Sequence, residues 1–111
     1  MHAYIFKDRS GRVIDVETDD EGEAAVAYHH AEPVGRLSIS YDDTSNDPSA
    51  MLIELFVEPA YRRCGIARTL VACVHETTGS PIRVPRTMAR QSEAFSTLCR
   101  CLESEGLILL I

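Results

Sequence analysis

No stretch of the chain is apolar for long enough to cross a bilayer: the longest unbroken runs, such as residues 107–111, are only a few residues long, against the roughly 20 that a spanning helix needs. A basic segment followed by an apolar core is missing from the N-terminus, so no secretory leader and no membrane partner are expected, and the reading is a cytoplasmic protein. None of the four cysteines, Cys64, Cys73, Cys99 and Cys101, forms a pair with the two-residue separation of zinc knuckles and redox motifs, which argues for reduced, unligated thiols. His29 and His30 are adjacent on a run that reads as a strand, so their side chains are expected on opposite faces, and no metal site is expected. Arginine is the only basic residue after Lys7, and no internal repeat is visible. The common nucleotide fingerprints, a P-loop and Gly-x-Gly-x-x-Gly, are also missing.

What remains is an ordinary mixture for one soluble globular domain: 111 residues, 45% hydrophobic and 25% charged, with a net charge of −6. The charge is unevenly divided. Residues 1–60 hold 13 acids and four bases, whereas residues 61–111 hold four acids and seven arginines. A nucleic-acid binder would carry a broad positive excess, so no nucleic-acid partner is expected. A basic half in an acidic protein suits a small phosphorylated ligand, because the guanidinium fork matches phosphate oxygens; solvated surface charge is the other reading.

Residues 3–6 and 12–16 flank Asp8-Arg9-Ser10-Gly11, a turn sequence, and read as paired strands. Residues 15–23 hold six acids and are expected to be an exposed loop or edge. A second hairpin is expected with arms at 24–30 and 36–41 and its turn at Glu32-Pro33-Val34-Gly35, followed by a polar loop over 42–49. Residues 50–57 are apolar on both alternating faces except for Glu54, the pattern of a central strand covered on two sides. The stripe of Ile66, Ala67, Leu70, Val71 and Val74, with Gly79 as a stop, predicts a helix over about 64–77. A short strand at 81–84, a helix over about 87–105 with Phe95, Leu98 and Leu102 on one face, and a strand at 107–111 complete the chain. The class is α+β: a mixed, mostly antiparallel central sheet flanked by helices.

The block that carries chemistry is Val57-Glu58-Pro59-Ala60-Tyr61-Arg62-Arg63-Cys64-Gly65-Ile66-Ala67-Arg68-Thr69-Leu70, between a buried strand and a helix. The first turn of a helix leaves amides unpaired at the positive end of the macrodipole, so main chain alone can hold phosphate oxygens. Gly65 carries no Cβ to keep a phosphate away, Ala67 keeps the next turn thin, and Arg62, Arg63 and Arg68 add charge. The site suits a pyrophosphate, unless it is an ordinary strand-to-helix turn that contains arginines.

Arg62-x-x-Gly65-x-Ala67, following an apolar strand and opening an apolar helix, resembles the acyl-coenzyme A signature of the GNAT superfamily of N-acetyltransferases. The resemblance covers roughly residues 24–111. It implies a GNAT-like α/β/α fold and acetyl-coenzyme A as co-substrate, bound by the loop from Arg62 to Arg68, with Cys64, Gly65, Ile66 and Ala67 supplying amides. It further implies direct attack of an amine, from a small molecule or a protein, on the thioester carbonyl, with backbone N–H groups near Phe56 and Val57 stabilising the oxyanion. An ammonium must first lose its proton, and Glu54 is the candidate base, its pKa raised by burial; pairing with a neighbouring arginine is the equal alternative. Glu58, beside the loop, is read as a surface residue.

The sequence departs from the family in two ways. Residues 7–23 are too few and too polar for the helices that normally wall the acceptor pocket, and no tyrosine follows Tyr61 to protonate the departing thiolate. Ser96, Cys99 and Cys101 are the remaining candidates for that role, although both cysteines read more simply as packing residues. The expected function is transfer of an acetyl group to an amine, and the alternative is a GNAT-fold module that binds coenzyme A or a protein partner without transfer. A homodimer is expected because residues 107–111 read as an apolar strand with a free edge; a central position for that strand is the competing reading.

Overall fold

Alternation of apolar and polar residues through the first half of the chain builds strands, and the computed structural model, which describes residues 2–41 and 50–111, places them in one sheet. The strands are β1 (His2–Lys7), β2 (Val13–Thr18), β3 (Ala24–His29), β4 (Glu32–Tyr41), β5 (Ala50–Val57), β6 (Ile82–Val84) and β7 (Ile108–Leu110), lying side by side in chain order. The first five pair antiparallel; β5, β6 and β7 run parallel. Helix α1 (Ile66–Thr78) joins β5 to β6, and α2 (Arg86–Ala89) and α3 (Glu93–Ser104) join β6 to β7. This is the expected α+β class with a mostly antiparallel sheet. Residues 42–49, read as a loop, lie outside the described residues. No helix of the described residues is long and apolar enough to cross a membrane.

One face of the sheet forms the core. Ile14, Val16, Ala25, Ala27, Leu37, Ile39 and Leu52 are buried against Ile66, Leu70, Val71 and Val74 of α1. The small residues of β3 let the helix lie close, and α3 adds Phe95, Cys99 and Leu102 on the same side, next to Leu55, Ile82 and Ile108. Alternate residues of the strands point to the opposite face, where Ile5, Val13 and Phe56 are exposed.

Three boundaries differ from the expectation. The β3–β4 turn is His30-Ala31, both in the left-handed region at φ 52 and 66, and not Glu32–Gly35. Pro33 sits inside β4 at a register shift, where its missing N–H is tolerated. Gly35 serves packing: a Cβ there would meet Ile66 at 3.2 Å and Leu70 at 3.4 Å. The acidic run over 15–23 is in part strand, since β2 continues to Thr18 with Asp15 and Glu17 on its exposed side. The helix expected over 87–105 is broken, because Ser92 is extended at φ −152 and its hydroxyl accepts the Phe95 amide at 3.0 Å, starting α3 afresh.

Candidate functional site

β5 and β6 pair only at Met51 and Arg83, so from there to Val57 β5 has no strand partner on its β6 side among the described residues. The divergence has a local source on the other edge: Ser38 faces Glu54 and Ile39 faces Leu52, which leaves Ile53 as an extra residue. A bulge of this kind sharpens twist and bends the strand. The result is a wedge that opens toward Val57, with an unpaired strand edge able to hydrogen-bond an extended ligand.

The open end of the wedge meets the start of α1. After a single 3-10 turn at Pro59–Tyr61, Arg63 and Gly65 are both left-handed, at φ 61 and 91. Helical bonding begins only when the Thr69 amide donates to the Gly65 carbonyl at 3.0 Å. The amides of Arg63, Cys64, Gly65, Ile66, Ala67 and Arg68 therefore have no protein acceptor among the described residues. Left-handed residues alternating with other conformations curl successive N–H groups toward a common concavity, and the helix macrodipole adds to their field. Space beside Gly65 is open: a Cβ there meets nothing within 4 Å. This arrangement turns a run of main-chain donors toward open space.

The arginines are disposed less simply. Arg62 turns back, its Nε donating to the Val57 carbonyl at 2.8 Å and its guanidinium lying 5.7 Å from the Phe56 ring centre, so it closes the end of β5. Arg63 is exposed. Arg68 is held across to the C-terminal end of α3, donating through Nε to both Glu105 oxygens at 3.0 Å and through an η nitrogen at 2.8 Å. These hydrogen bonds keep the Glu105 carboxyl below its ordinary pKa.

Glu54 and Phe56 are both exposed, Phe56 to 44%, and as alternate residues of one strand they share the sheet face turned away from the helices. The burial expected around Glu54 is absent: the strand bulges at Ile53, and among the described residues no helix covers that face. Val57 and Ile66 are buried, so what they offer a ligand is backbone. On α3, Cys99 is buried among apolar side chains and Cys101 is exposed. Desolvation, with the nearby Glu103 charge, pushes the Cys99 thiol up to about 11.

A second cluster adjoins the loop and joins Tyr61 of the loop block to residues of the first two hairpins. The Asp8 carboxylate receives Arg12 Nε at 2.8 Å, and Arg12 lies 3.9 Å from the centre of the Tyr61 ring. The Tyr61 hydroxyl is 2.6 Å from His29 Nδ1. His29 and His30 do not point apart as expected; their rings lie 4.1 Å apart, because His30 belongs to the left-handed turn and not to the strand. Among the described residues no group of three or more His, Cys, Asp or Glu could hold a metal ion.

Comparison with known proteins fits this geometry. The model of the acetyltransferase (GNAT) family matches residues 2–78. A comparison with curated protein sequences finds no match. Among solved structures, an aminoglycoside acetyltransferase from an uncultured soil metagenomic sample, in complex with trehalose, aligns with a TM-score of 0.51 at 18% identity, over 75% of this chain and 55% of that one. The likeness is one of fold, and the chain spans about half the length of that enzyme.

Proposed function

The chain belongs to the acetyltransferase (GNAT) family, and from that premise we propose that it binds acetyl-coenzyme A at the loop preceding α1 and transfers the acetyl group to an amine. The observation that carries this reading is the run of unpaired amides from Arg63 to Arg68 beside the open space at Gly65, which fits the pyrophosphate of a coenzyme. The free edge of β5 beyond Met51 fits the extended, amide-bearing arm. When bound, the coenzyme supplies an activated acyl group on sulfur.

This chain's residues orient and discharge that chemistry. Backbone amides near Phe56 and Val57, at the open end of the wedge, provide donors for negative charge on the carbonyl oxygen. Glu54, exposed on the adjoining sheet face, takes the ammonium proton through water. The acceptor is cationic, drawn by the acidic N-terminal half, and small or protein-borne. Two copies associate through β7, an edge strand on which Leu109 is 49% exposed.

The test is thiol release from acetyl-coenzyme A, followed over time against a panel of polyamines, aminoglycosides and lysine peptides. Release that depends on the amine is expected, and Glu54→Gln should lower turnover about 10²-fold or more, in the usual range for a general base. Glu54→Gln with unchanged turnover would remove Glu54 from the mechanism. Coenzyme binding without thiol release for any acceptor would favour a non-catalytic coenzyme-binding module, a reading supported by the missing tyrosine on α3.

A further inference from the structure

Asp8 is the only buried carboxylate among the described residues, its side chain fully withdrawn from solvent, and its place is a surface turn. Burying a carboxylate is costly unless its oxygens are hydrogen-bonded. Here both are: Oδ1 accepts the amides of Ser10 at 2.9 Å and Arg12 at 3.0 Å, and Oδ2 accepts Arg12 Nε at 2.8 Å. The β1–β2 turn does not itself require this pair, since Gly11 at φ 83 and the backbone bonds between Asp8 and both Gly11 and Arg12 already close it.

The rest of the Arg12 guanidinium explains the arrangement. One η nitrogen donates to the Ala60 carbonyl at 3.2 Å, the other to Cys64 Sγ at 3.4 Å, and the planar group lies over Tyr61. The Arg9 amide donates to the Cys64 carbonyl at 3.1 Å, and Ser10 Oγ lies 3.4 Å from Cys64 Sγ. Every one of these partners falls between Ala60 and Cys64, the segment that ends against the left-handed Gly65. A guanidinium fixed at Nε by a carboxylate has its two η nitrogens aimed in set directions, and a single ammonium cannot serve the three directions at once.

We propose that Asp8 and Arg12 are positioning residues for coenzyme binding: the buried pair acts as a strut from the β1–β2 turn that holds residues 60–64 in the shape that turns the amides of Arg63 to Arg68 toward one anion. The proposal rests on the reading of this loop as the coenzyme site. Neither residue touches the acyl group; each acts through the loop. Loss of the strut lets the loop sample other conformations, so affinity falls with the population of the competent one while the chemistry of the bound complex is kept.

The experiment compares the full-length protein with Arg12→Lys and Asp8→Asn by calorimetric titration with coenzyme A, thermal melting, and steady-state kinetics in acetyl-coenzyme A. The expected result is at least a tenfold rise in Kd and in the KM for acetyl-coenzyme A, with kcat at saturation within about twofold of the parent. A lower melting temperature with unchanged Kd and KM would make the pair structural only and overturn the proposal. Should both variants be unfolded at the assay temperature, the same titrations and kinetics below their melting temperatures decide between the same outcomes. If the parent binds coenzyme A and the variants bind equally well, the strut falls and the loop reading stands; if the parent does not bind, both fall.

Discussion

Ala31 holds a left-handed backbone at φ 66 directly after His30 at φ 52, the two-residue turn that hairpins usually fill with Asn-Gly. An L-residue with a side chain pays about 1–2 kcal/mol for that conformation, and glycine does not. Ala31→Gly should therefore stabilise the domain by about 0.5–1 kcal/mol after the extra entropy of an unfolded glycine is deducted, raising Tm by about 2–8 °C. Differential scanning calorimetry checks this, and an unchanged or lowered Tm would mean the hairpin turns elsewhere. The expectation of a turn at Glu32–Gly35 failed for a physical reason legible only in three dimensions: Gly35 is small because α1 crosses it, as the 3.2 Å approach of Ile66 to an added Cβ demonstrates. The room beside the start of α1 was readable at Gly65, the residue without a Cβ there. The contact of Arg12 with the loop was not, because its partners there lie 48 and 52 residues away along the chain and a turn sequence carries no mark of what it touches.

At the scale of elements, the strands and α1 were legible because their apolar periods are strong, and Gly79, at φ 75 with its amide on the His75 carbonyl at 2.8 Å, ends α1 as glycine after a helical stripe should. The break between α2 and α3 was missed because the apolar period runs across it; only the extended Ser92 cap marks it. The splay of β5 from β6 was likewise hidden, since Ile53 becomes a bulge only through its pairing with β4. The last strand offers a prediction of its own. β7 lies at the edge of the sheet, with Leu109 at 49% and Ile111 at 47% exposure, so a two-fold dimer should form there. Sedimentation equilibrium at micromolar concentration should give twice 12.3 kDa, and Leu109→Lys should return a soluble monomer. A parent mass near 12.3 kDa excludes the dimer.

Across the whole molecule, three segments distant in sequence converge on one end of α1: the β1–β2 turn, the end of β5 with the loop after it, and the end of α3, whose Glu105 holds Arg68. The division of charge along the chain allowed a phosphorylated ligand in the basic half or plain solvated charge, and the amides at the head of α1 lie in that half; the acidic half supplies β1 to β5. The described helices leave the sheet face of Glu54 and Phe56 uncovered. The central claim is the coenzyme cradle, and calorimetric titration of coenzyme A into the parent and into Gly65→Val tests it most directly. A valine at φ 91 strains the backbone and projects its side chain into the open space beside the amides. The account predicts micromolar binding to the parent and a loss of at least a hundredfold in a folded variant; equal affinity in both would contradict it.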